Sequence, residues 1–166
     1  MRTWIAKDRR RHHGLLLSLL VLVAACSEPD RPATLDARAA NGLAYDLAGT
    51  IEDGEPVVVL IHGSNLDRRM WDAEMGWLPA IATTLRYDQR GQGASEFPSE
   101  PFANHRDLLD LLDELGIGEA TLIGLSAGAQ IAVDAAFADP DRIRQLVLVS
   151  PSVSYTHLTL PTICSV

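Results

Sequence analysis

The residue in this chain best placed to do covalent chemistry is a serine framed by glycines. Gly124-Leu125-Ser126-Ala127-Gly128 follows the apolar run that starts at Thr121, and a small-residue helical pattern continues to Ala138. A G-x-S-x-G segment between a strand and a helix predicts a sharp, strained turn with the serine hydroxyl at its tip. Gly124 and Gly128 would let strand and helix approach without Cβ clashes. The Ala127 amide would open the helix, where N–H groups outside the helical ladder can stabilise a developing oxyanion. That combination suits nucleophilic attack on a carbonyl and acyl transfer through Ser126. The bland alternative is an ordinary strand-to-helix turn, which the placement disfavours.

A second loop adds to this chemistry. Val57-Val58-Val59-Leu60-Ile61 reads as a strand buried on both faces, and it ends in His62-Gly63-Ser64-Asn65. Gly63 would let the backbone turn so that the Ser64 amide becomes the second oxyanion donor, at the carboxyl end of a central strand. For His62, bracing the loop is preferred over catalysis. Asp88, in Asp88-Gln89-Arg90-Gly91-Gln92-Gly93-Ala94-Ser95, is read as a structural ion-pair partner of Arg90 or of the His62 loop, because it precedes the nucleophile.

The elements that must position these loops follow from periodicity. Leu43–Ile51 is expected as an opening antiparallel hairpin, and Arg68–Leu78 as a helix packing Trp71 and Met75 into the core. Thr83–Tyr87 alternates as a strand. From Asn104, Leu108, Leu111, Leu112 and Leu115 form one helical face, with Asp107, Asp110, Asp113 and Glu114 on the wet side and Gly116 closing the helix. Ala120–Gly124 and the run Ile143–Val149 complete a strand–helix alternation. The architecture expected is α/β, a doubly wound, mostly parallel sheet with right-handed crossovers.

The N-terminus reads as an address. Arg9-Arg10-Arg11 precede the apolar run Leu15–Ala25, which is short for a membrane span and suits a secretory signal at residues 1–25. Val23-Ala24-Ala25-Cys26 resembles the bacterial lipobox. That resemblance implies lipidation of Cys26, export, and anchoring to a membrane, the outer one where the source has two, since Ser27 and not Asp follows. Residues 26–42 are then expected to be the lipidated cysteine and a polar tether. Beyond residue 25 the chain has 9 basic against 21 acidic residues, which argues against nucleic acid as a partner. Cys26 and Cys164, two cysteines in all, do not read as a disulfide framework.

His62-Gly63-Ser64, the Asp88–Ser95 loop and Gly124–Gly128 together resemble, in order and spacing, the three early landmarks of the α/β-hydrolase fold, across residues 43 to about 152. Carried over, the resemblance implies Ser126 as nucleophile, the Ser64 and Ala127 amides as oxyanion hole, a small-molecule substrate, and neither metal nor organic cofactor. A serine at the elbow disfavours the dehalogenase and epoxide hydrolase branches, which use aspartate there. Esterases, lipases, lactonases, carbon–carbon bond hydrolases and perhydrolases remain. A surface lipoprotein that keeps the scaffold only for binding is the alternative from another class.

The family order is nucleophile, acid, histidine. After Ser126 come Asp134, Asp139 and Asp141, none following a later strand, and His157. His157 is not taken as the base, because Val153–Thr162 resembles the translation of a sequencing-library adapter. The expectation is therefore a hydrolase domain truncated after about the sixth strand, catalytically incomplete, with residues 153–166 foreign to it. An unpaired sheet edge in such a chain predicts aggregation.

Overall fold

Short runs of β-branched residues separated by helical stretches give a six-stranded sheet in the computed structural model, which describes residues 33–151. The strands are β1 (Ala33–Arg38), β2 (Ala44–Ala48), β3 (Val57–Ile61), β4 (Thr84–Tyr87), β5 (Ala120–Leu125) and β6 (Ile143–Val149). Their spatial order is β1-β2-β4-β3-β5-β6. The first two pairings are antiparallel, and those of β4, β3, β5 and β6 are parallel. The expected α/β architecture is thus present.

Alternation along β3 and β5 sends side chains to two separate cores. Val57, Val59 and Ile61 with Ala120 and Leu122 face helices α2 (Asn104–Glu114) and α3 (Ala127–Ala138), which contribute Leu108, Leu111, Leu112, Ile131, Ala132 and Ala135. Leu60, with Val58, Ile123 and Leu125 beside it, faces Trp71 and Leu78 on the other side. That second layer is not the continuous helix expected over Arg68–Leu78. It is a 3₁₀ turn (Arg68–Trp71), the single turn α1 (Asp72–Met75), and a second 3₁₀ turn (Leu78–Ala80). Gly76 and Pro79 break the segment, as their low helix propensity requires. Trp71 is buried and Met75 packs partly against the same cluster.

The start of the domain also differs from expectation. Ala33–Arg38 is a strand, where a polar tether over residues 26–42 is expected. The predicted hairpin within Leu43–Ile51 is replaced by β1 pairing with β2, and β2 pairing in turn with β4. The Thr34-Leu35-Asp36 stretch hides its β character because its side chains are mostly exposed and its register is interrupted between Thr34 and Ala37. The signal segment, Cys26 and residues 153–166 lie outside the described residues. β6 has β5 on one side only in this sheet, and it leaves Val147 and Val149 about half exposed.

Candidate active site

Parallel pairing brings the ends of four strands to one edge. Ile61 is in register with Gly124 on one side and Tyr87 on the other, and Leu125 with Val149. The chain passes from β3 to β4 on one flank and then crosses to β5 on the opposite flank. A crevice at such a reversal point, at the carboxyl ends of the strands, is where open α/β sheets hold ligands. The His62 loop and Ser126 both emerge there.

Ser126 stands between β5 and α3 with φ 52° and ψ −109°, a conformation costly for any residue with a Cβ. Its N–H donates to the Val149 carbonyl at 2.9 Å, and its carbonyl accepts the first helical bonds, from Ala129 at 3.1 Å and Gln130 at 3.3 Å. The ladder of α3 therefore begins after Ala127, whose amide lies in the first turn, outside that ladder. A Cβ on Gly124 would overlap the Gly128 carbonyl, and one on Gly128 would overlap the carbonyls of Ile61 and His62. Glycine at both positions is what lets the elbow close against β3.

Gly63 is buried, and a Cβ on it would lie 3.5 Å from the Leu125 carbonyl, so the loop after β3 lies directly against the elbow. Ser64 follows, exposed, and Asn65 turns the chain at φ 58°. The candidate oxyanion donors Ser64 and Ala127 thus belong to two segments in contact, the loop after β3 and the turn that opens α3.

His62 is fully buried with both ring nitrogens engaged. Nδ1 is 2.8 Å from the Gly63 carbonyl, and Nε2 accepts the Gln89 backbone N–H at 3.0 Å. Burial holds its pKa below the ordinary histidine value, against the opposing pull of the Gly63 carbonyl, Asp88 and Asp67. A neutral imidazole with no free nitrogen braces the loop and does not shuttle protons.

Asp88 is buried too, but its partner is not Arg90. Its carboxylate accepts the Arg68 N–H at 2.6 Å, the Arg68 guanidinium at 2.5 Å and the Ala94 N–H at 2.8 Å. Arg68 also reaches Asp46 at 3.1 Å and pairs with Asp36, while Arg86 joins Asp46 at 2.8 Å. Burial raises the Asp46 pKa, but the Asp36 N–H, Arg86 and Arg68 together bring it below the ordinary range. Arg90 pairs instead with Asp107, at 2.6 and 2.7 Å, while lying over the Phe102 ring. Asp107 is therefore buried, not on the wet face. Helical spacing places it one position from the apolar stripe, and only the neighbouring loop decides that a cation meets it there.

A model of the alpha/beta hydrolase family matches residues 58–163. The chain belongs to this family. The segments that resemble the family's landmarks lie in the loops after β3, β4 and β5. Among curated relatives, a putative carbamate hydrolase of Caulobacter vibrioides is 32% identical over 114 residues, covering 66% of this chain and 42% of the relative. A hydrolase structure from Pseudomonas aeruginosa aligns with TM-score 0.61 and 32% identity over 75% of this chain and 47% of that one. An enol-lactonase from Burkholderia xenovorans aligns with TM-score 0.57 and 34% identity over 63% and 41%. The chain spans about two fifths of the length of that carbamate hydrolase relative.

Two contributors went unread in the sequence. Gln89 and Arg68 both act on partners at least 20 residues away, a separation that local pattern does not encode. Of the acids after Ser126, Asp139 binds Arg142 at 3.2 Å and Asp134 lies within α3.

Proposed function

We propose that this protein is a serine hydrolase that acts on an ester-like or related carbonyl through an acyl-enzyme on Ser126. The observation that carries the reading is the backbone of Ser126, held at positive φ between β5 and α3 by two glycines whose Cβ positions are filled by backbone atoms. Such strain persists where the surrounding structure over-determines it, and here it lifts the hydroxyl to the strand edge. In the proposed reaction Oγ adds to the carbonyl carbon as its proton passes to a base. The oxyanion is held by the Ser64 and Ala127 amides, and collapse expels the alcohol or equivalent leaving group. Water then releases the acid and regenerates Ser126. His62 is not that base, since both its nitrogens are engaged. The family order puts the acid and then the histidine after the nucleophile in the chain. The carbamate hydrolase and enol-lactonase names of similar proteins support carbonyl chemistry in general, and neither fixes this substrate.

A fluorophosphonate probe on the full-length protein tests the reading. Labelling that disappears in Ser126→Ala supports it. Absence of labelling in a folded protein would favour a binding role for the scaffold.

We also propose that Cys26 is lipidated and tethers the domain to a membrane, on the strength of Arg9–Arg11, the apolar run Leu15–Ala25 and the small residues before Cys26. Detergent-phase partitioning that is lost in Cys26→Ala would support this. Equal partitioning of the two would refute it.

A further inference from the structure

Gln89 touches the candidate site without any part in the chemistry above. It is buried directly after Asp88 and grips His62 twice. Its backbone N–H donates to His62 Nε2 at 3.0 Å, and its side-chain amide donates to the His62 carbonyl at 2.5 Å. A backbone amide can only donate, so Nε2 is the bare nitrogen and the neutral ring carries its proton on Nδ1. That proton points to the Gly63 carbonyl, 2.8 Å away. The Gln89 side-chain nitrogen, 3.2 Å from Nδ1, is then a neighbour and not a partner, because both atoms carry hydrogens.

The consequence lies in the next peptide group. A trans peptide is planar, so the Gly63 C=O and the Ser64 N–H point in opposite directions. Whatever fixes the Gly63 carbonyl also aims the Ser64 amide. The Leu66 N–H reaches the same carbonyl at 3.3 Å and assists. Gln89 itself cannot drift, because Asp88 before it is clamped by Arg68 and by the Ala94 amide.

We propose that Gln89 is a positioning residue: it holds His62 in one place and one tautomer, and through the His62–Gly63 hydrogen bond it sets the direction of the Ser64 N–H. The proposal rests on the reading of that amide as an oxyanion donor. It links the loop after β4, and behind it Arg68, to the loop after β3.

The test compares full-length wild type with Gln89→Met, which keeps side-chain length and the backbone N–H bond to Nε2 but loses the amide's hydrogen bond to the His62 carbonyl. Gln89→Asn, which withdraws the amide by one methylene, is the gentler second variant. Nitrogen-15 NMR of the wild type should show a neutral His62 ring protonated on Nδ1. In the variants the Ser64 amide resonance should shift and its order parameter fall, while Ala127 keeps both. With an activated ester, kcat should fall about tenfold at nearly constant KM, a fraction of the roughly 10²–10³ lost when an oxyanion donor is removed outright. A His62 ring protonated on Nε2, or a Ser64 amide indifferent to both substitutions, overturns the proposal. The NMR result decides the positioning with or without turnover. A wild type that hydrolyses no activated ester counts against the hydrolase reading alone.

Discussion

The carbonyl oxygen of Ile61 occupies the space that a side chain on Gly128 would need. The last residue of β3 and the second residue of α3 are therefore in backbone contact, which is why the loop carrying Ser64 lies against the turn carrying Ser126. The neighbouring atoms are backbone and cannot rotate away.

Gly128→Ala should accordingly destabilise the fold by about 1–3 kcal/mol, the usual cost of overpacking. Chemical denaturation reads this directly. An unchanged midpoint would mean that α3 does not pack against β3 as closely as described.

Ser126 predicts the opposite sign. Its φ of 52° and ψ of −109° cost a residue with a Cβ on the order of 1–3 kcal/mol, and glycine adopts such angles without that penalty. Ser126→Gly should therefore raise stability by about 1 kcal/mol, after the entropy of the extra glycine is deducted. A stability loss in that variant would show that the turn is not strained.

Arg68 is the cation shared by Asp46 and Asp88, with its own side chain only 9% exposed and theirs 4% and 1%. Arg68→Met leaves two buried carboxylates without it, and removing one partner of a buried pair costs about 3–5 kcal/mol. Adding Asp88→Asn should recover part of the loss. A variant as stable as wild type would mean that the network contributes nothing.

Acid should weaken the fold in two steps of the same sign. His62 has its pKa lowered in the folded state, chiefly by burial, so below about 6.5 the unfolded chain takes up a proton that the folded chain resists. This part of the stability is complete above that pH and drains away as pH falls toward the folded value. Asp46, also lowered once folded, adds a further loss through the carboxylate range. Urea midpoints at pH 7.5 and 5.5 should differ more in wild type than in His62→Gln. Equal differences would remove His62 from the account.

Much of the site was legible because its signals are local. The G-x-S-x-G turn, the strand before it and the small-residue helix after it sit within 18 consecutive residues, and each obeys its own short-range rule. The His62 loop was legible for the same reason. What escaped was long-range. Sequence proximity offers Asp88 either Arg90, two residues on, or the His62 loop, whereas Arg68 reaches it from 20 residues away. Helical periodicity places Asp107 in solvent because it sees one helix and not the Arg90 loop beside it. β1 resembles a tether in sequence because this exposed edge strand lacks the apolar alternation that marks a strand.

Covalent catalysis at Ser126, as proposed, is tested most directly by intact-mass spectrometry during turnover of an activated ester. The full-length protein, quenched in acid early in the reaction, should carry one acyl group, mapped by peptide digestion to Ser126 and absent from Ser126→Ala. Hydrolysis without any adduct there, undiminished in Ser126→Ala, would contradict the account.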